Sequence, residues 1–175
     1  RGPWPPKLLS SDGQHLPFVL VSPLCPKDDW WASPVQLAAL DKLLVEIASR
    51  YRIDRRRIYV TGLSMGGYGS WSLALRHPDR FAAVAPICGG GNTLDILLAS
   101  RRNGAALKSL PFRAFHGGKD TVVPLAESER MVNALKRAGV KDVNLVVYPE
   151  AGHDSWTEPY GGRELYDWFL QHARK

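Results

Sequence analysis

The stretch IYVTGLSMGGYGSW, from Ile58 to Trp71, constrains the fold more tightly than any other part of the chain. Ile58, Tyr59 and Val60 are β-branched or aromatic and read as a strand, whereas Ser70 to Arg76 carries apolar residues at helical spacing. Strand therefore gives way to helix within a few residues, and Ser64 stands at the switch. Gly62 and Gly66 flank it in a GxSxG pattern, whose physical logic is a sharp turn that lifts a serine oxygen off the end of a strand. Gly67 and Gly69 extend the pattern and let the following helix approach the sheet. A glycine-rich helix start with a capping serine would spell the same five letters, so the reading rests on the strand-turn-helix setting.

The rest of the chain repeats that alternation. LPFVLVSP reads as a short buried strand bounded by Pro17 and Pro23. A helix follows, capped by Ser33 with Gln36 three residues on and Pro34 in its first turn; Leu37, Leu40, Leu44 and Ile47 form its apolar face. After the serine helix, which ends near RHPDR, come a strand at FAAVAPICG, a short irregular region through Arg102, and a strand at PFRAFHG. A helix from about Leu125 to Ala138, a strand at VNLVVYP and a closing helix at GRELYDWFLQHA complete the series, with Leu165, Trp168 and Phe169 facing inward. Strands alternating with helices imply parallel crossovers in a doubly wound, mostly parallel α/β sheet covered on both faces. The 175 residues fit one domain, 1–175, without internal repeats.

Charge and composition narrow the classes further. A net charge of +6 raises the question of a polyanion partner. Yet many of the arginines crowd into SRYRIDRRRIY, ahead of the Ile58 strand, which places them at the sheet edge opposite the usual ligand crevice. They read as a solvated face, as do Arg101 and Arg102, and no nucleic-acid partner is expected. No apolar run approaches the roughly 18 to 20 residues that span a bilayer. Cys25 and Cys88 lack the spacing of a disulfide framework or a zinc site and read as small apolar residues. The opening RGPWPPKLL has neither an initiator methionine nor a signal-peptide pattern.

A serine hydroxyl is a poor nucleophile near neutral pH; it needs a base to take its proton and an acid to hold that base in the right tautomer. Asp120 lies in AFHGGKDTVVP, just after a strand, and His153 in VVYPEAGHDSW, after the next. Both loops open on the same sheet edge as Ser64. His116 and His77 compete for the base role, but His116 belongs to a strand end and His77 to the helix terminus, where packing or capping suits it better. Asp154 is too near His153 in sequence to orient its ring. Hydrolysis is expected to rise with pH as the base imidazole loses its proton.

IYVTGLSMGGYGSWSLALRHPDRFAAVAPICGGG, FHGGKDTVVP and GHDSW together resemble the α/β-hydrolase superfamily, in particular its small dienelactone-hydrolase-like and phospholipase/carboxylesterase-like esterases, a group also labelled predicted peptidases. The resemblance runs through nearly the whole chain. It implies a serine carboxylic-ester hydrolase without metal or organic cofactor, acting on a small-molecule ester, with Ser64, Asp120 and His153 as its triad. Feruloyl and acetyl esters are conceivable substrates. A serine peptidase of the same fold and a non-catalytic binding protein that keeps the fold are the alternatives. An ester needs less help for its leaving group than an amide, and these 175 residues show no extra domain to grip a peptide, so an ester is the expected substrate.

Two expectations follow from where the chain departs from that pattern. Met65 N–H, directly after the nucleophile, supplies one oxyanion donor, but the His-Gly-rich loop that relatives carry upstream of a segment like GPWPPKLL has no match. The resemblance therefore implies missing N-terminal strands, and a strand-wide slot between FVLVS and IYVTG unless those two pair directly, with poor stability and little activity for the isolated chain. Trp30, Trp31 and Trp156 lie near the same sheet edge, where lining an apolar acyl site and packing as loop aromatics are equally open readings.

Overall fold

The computed structural model describes residues 17–174. The opening RGPWPPKLL lies outside them. Helix α1 (Pro34–Arg50) begins as its sequence predicts, with Ser33 Oγ accepting from Gln36 N at 3.2 Å and Pro34 in the first turn. Strand β1 (Tyr59–Leu63), helix α2 (Met65–Arg76) and strand β2 (Ala83–Ile87) follow, then helix α3 (Thr93–Ser109) and strand β3 (Phe112–Gly117). Helix α4 (Ala126–Arg137), strand β4 (Val143–Tyr148) and the short helices α5 (Thr157–Gly161) and α6 (Glu164–Leu170) end the chain.

The four strands form one sheet in the order β1-β2-β3-β4, with every pairing parallel. Tyr59 to Leu63 stand in register with Ala83 to Ile87, and Phe112 to Gly117 with Val143 to Tyr148. Alternate side chains divide the strands between two cores, as a period of two requires. Val84, Phe112, Ala114 and Val143 meet Leu37, Trp71, Ile96, Leu107, Met131 and Leu135 from the helices on one face, where Trp71 stacks on Phe112 at 5.4 Å. Ala83, Ala85, Ile87 and Phe115 meet Tyr160, Leu165, Trp168 and Phe169 from α5 and α6 on the other. Burial on both faces makes β2 apolar at every position.

Two elements differ from the expectation. The region between β2 and β3 is a helix, not irregular chain: Asn92 Oδ1 caps it through Leu94 N, and only a kink at Asn103 (φ −152°, ψ 60°) interrupts it. Phe18 to Ser22 belongs to no strand, and Val19, Leu20 and Val21 are exposed. An extended segment becomes a strand only when a neighbour takes up its backbone hydrogen bonds. Direct pairing of this segment with β1 does not occur; Phe18 instead meets the Tyr59 ring edge-on at 5.8 Å. Among the described residues β1 has β2 as its single strand partner and closes the sheet on that side. No described helix is long and apolar enough to cross a membrane.

Candidate active site

All four strands point the same way, so their carboxyl ends share one edge, and the loops leaving that edge carry the titratable residues of interest. Ser64 follows β1 directly. Its N–H continues the ladder by donating to Ile87 O at 2.9 Å, while its carbonyl accepts from Gly67 N and Tyr68 N to start α2. These demands force φ 52° and ψ −116°, outside the regions an L-residue prefers. The turn is feasible because Gly62 and Gly67 have no side chains. A Cβ on Gly62 would lie 2.4 Å from Gly66 O, and one on Gly67 would lie 2.6 Å from Ile87 O. Gly69 has a different role from the one its sequence predicts, since it makes room for the Trp31 side chain rather than the sheet. Ser64 makes no side-chain cap bond to α2, which removes the capping-serine reading.

Its hydroxyl instead lies 2.9 Å from His153 Nε2, and His153 Nδ1 lies 2.8 Å from Asp120 Oδ2. An ionised carboxylate only accepts, so Nδ1 carries the imidazole proton and Nε2 presents a lone pair to the Ser64 hydroxyl. Asp120 is gripped from its other side, where Oδ1 accepts from Val122 N and Val123 N at 2.9 Å each. Its side chain is fully buried, and burial pushes the carboxyl up, but the bonds from His153, Val123 and Val122 outweigh this and hold it below its ordinary range.

That depression has a consequence for stability. A carboxyl with a folded pKa below its unfolded one contributes stability that is complete above the unfolded value, about 3.9, and is lost as pH falls through the folded value. Urea midpoints of the native chain and Asp120→Asn should therefore differ most at neutral pH and converge as the pH falls below about 4. A constant gap across that range would show that Asp120 adds no stability through its charge.

Met65 is the first residue of α2, so its N–H has no acceptor within the helix and is free to point into the site. Trp156 meets the His153 ring edge-on at 5.6 Å. Trp30 packs on Tyr68 at 5.1 Å and is 42% exposed, whereas Trp31 is pressed against Gly69. The three tryptophans thus have different surroundings, and Trp156 is the one in contact with His153. Both rival histidines are accounted for elsewhere: His77 Nε2 bonds Asp41 at 2.8 Å, and His116 is fully buried under the Asp120 loop. Cys88 follows β2 at φ 38°, and burial pushes its thiol up to about 11, which keeps it protonated beside Ser64.

Two fastenings have no counterpart in the sequence motifs. Thr61 on β1 donates to Ala85 O at 2.6 Å, so the Tyr160 hydroxyl, 2.9 Å away, donates to Thr61 Oγ1. This ties the helix after His153 to the strand that carries Ser64. The arginine-rich segment lies at the opposite, amino end of the sheet, where Asp54 pairs with Arg56 and Arg57.

Comparison with known proteins agrees with this geometry at the level of fold. The structure of a thermostable esterase superimposes with a TM-score of 0.75 and 32% identity, covering 86% of this chain and 42% of that one, which defines an α/β hydrolase. Residues 36–160 match the phospholipase/carboxylesterase family model, and the chain belongs to that family. A Yersinia pestis protein that bears the name carboxymethylenebutenolidase is 32% identical over 138 residues, covering 72% of this chain and 51% of its own length. A poly(3-hydroxyoctanoate) depolymerase from Pseudomonas fluorescens is 26% identical over 165 residues, covering 87% and 54%. The chain thus spans about half the length of these curated relatives.

Proposed function

We propose that this chain cleaves small carboxylic esters through an acyl-enzyme on Ser64. The observation that carries the reading is the unbroken line from Ser64 Oγ through His153 to Asp120, at 2.9 and 2.8 Å. Ser64 Oγ attacks the ester carbonyl carbon while its proton passes to His153 Nε2, and Asp120 holds the imidazole and balances the charge it acquires. The tetrahedral oxyanion faces Met65 N–H. Collapse breaks the bond to the leaving oxygen, which takes the proton from His153. A water molecule then repeats the sequence on the acyl-enzyme, releasing the acid and restoring the Ser64 hydroxyl. Trp156, set against His153, supplies an apolar wall for the acyl or alcohol part.

The test combines turnover with covalent labelling. The 175-residue chain, with Met65 N–H as its one assigned oxyanion donor, should hydrolyse p-nitrophenyl esters slowly and at rates that depend on acyl length, and a fluorophosphonate should add one adduct, on Ser64. Matched p-nitroanilides should react far more slowly; the reverse order would favour a peptidase. A folded chain that takes no label at Ser64 would point to a binding protein that keeps the fold.

A further inference from the structure

His116 is a polar side chain with no exposure, placed at the end of β3 beneath the Asp120 loop. Its Nδ1 lies 2.8 Å from Ser128 Oγ on α4, and Ser128 Oγ in turn lies 2.9 Å from Gly89 O. Its Nε2 lies 2.9 Å from Val123 O and 3.3 Å from Asp120 Oδ2. A carbonyl and a carboxylate are both acceptors, so Nε2 carries a proton whichever way the Ser128 hydroxyl turns. Val123 therefore stands between two bonds: its carbonyl receives the His116 N–H, and its own N–H holds Asp120 Oδ1 at 2.9 Å. A solvated loop would let the Asp120 carboxylate rotate. This one is fastened to the core through α4 and β3.

We infer that His116 is a positioning residue for Asp120: through Nε2–H and Val123 it fixes the carboxylate that orients His153. The inference rests on the triad reading of Ser64, Asp120 and His153. Losing the Nε2 donor frees Val123 O and lets the Asp120 loop relax, which lengthens the bond to His153 Nδ1 and weakens the hold on the imidazolium. His116→Asn keeps a donor near the Nδ1 position and loses the one near Nε2; His116→Gln reaches the Nε2 position and keeps it. A residue that merely filled space would not distinguish these two variants.

The other titratable groups around the pair are left unchanged by either variant. The Cys88 thiol after β2, pushed up to about 11 by burial, and the Tyr68 phenol on α2, raised by burial and by Glu127, both remain protonated. Glu127 on α4 and Asp154 beside His153 are carboxylates that both variants leave in place.

The experiment follows the imidazole nitrogens by ¹⁵N NMR across pH in the full chain, with fluorophosphonate labelling rates alongside. In the native protein His116 Nε2 should stay protonated throughout. In His116→Asn the His153 titration should move to lower pH by about half a unit, and labelling should slow about tenfold. His116→Gln should restore both. An unprotonated Nε2 in the native chain, or an unmoved His153 titration in a folded His116→Asn variant, would overturn the inference. The native measurement decides the matter even if His116→Asn does not fold. Absence of labelling on native Ser64 tests the hydrolase reading instead, so the two failures are distinct.

Discussion

Ser64→Ala is expected to lower ester hydrolysis by about 10⁶-fold in kcat, to the level that binding and the remaining donors supply, and to abolish fluorophosphonate labelling. The structure makes this substitution unusually clean. Ser64 Oγ lies 2.9 Å from His153 and makes no cap bond to α2, so its loss removes no support from the helix. Alanine carries the same Cβ and meets the same conformational demand at φ 52°. The denaturation midpoint should therefore stay within about 0.5 kcal/mol of native while activity disappears. Retention of turnover would mean that another residue is the nucleophile, and a large fall in the midpoint would mean that the hydroxyl had a structural part.

Gly62→Ala should do the opposite, losing fold and activity together. Its new Cβ would stand 2.4 Å from Gly66 O and 2.5 Å from Gly66 C, both backbone atoms in the first turn of α2. Neither can swing aside as a side chain could, because Gly62 is also held in the ladder opposite Pro86. Either the strand or the helix must shift, at a cost of about 3 kcal/mol, and Ser64 moves with it. Gly66→Ala is the internal control. Its Cβ would meet nothing within 4 Å, and alanine suits a helix better than glycine, so stability should hold or rise by about 0.5 kcal/mol. Equal damage from the two substitutions would show that the clash at Gly62 relaxes without consequence.

Those two glycines also indicate how far a motif reaches. GLSMG marks the turn but does not reveal which glycine is sterically required, since that depends on what each Cβ direction faces. Ser64, Asp120 and His153 were legible because each lies just past a strand of recognisable composition, and parallel strands bring such positions to one edge. Helix α3 was not legible. Leu94, Leu97 and Leu98 are exposed while Ile96, Ala99 and Leu107 are buried, so its apolar residues trace no single face, and Asn103 next to Gly104 reads as loop. Phe18 to Ser22 failed for another reason. Its composition fits a strand, but composition reports a preference for extended backbone and not the presence of a neighbour. His116 and Tyr160 were hidden because their value lies in partners: Tyr160 bonds Thr61, 99 residues away, and nothing near either tyrosine or histidine in the chain announces the match.

Among the described residues, the strand that presents Ser64 lies at the rim of its sheet. β2 and β3 are clamped by ladders on both sides, whereas β1 is bonded on one side and half-buried along its whole length among the described residues. Local opening in a protein starts where the fewest bonds must be broken, so the two outer strands, β4 and the Ser64-bearing β1, are where this sheet opens at least cost. The geometry at Ser64 is then governed by that local equilibrium rather than by global unfolding. Whatever pairs along the rim raises the fraction of molecules with an assembled site by mass action, without touching any residue of it.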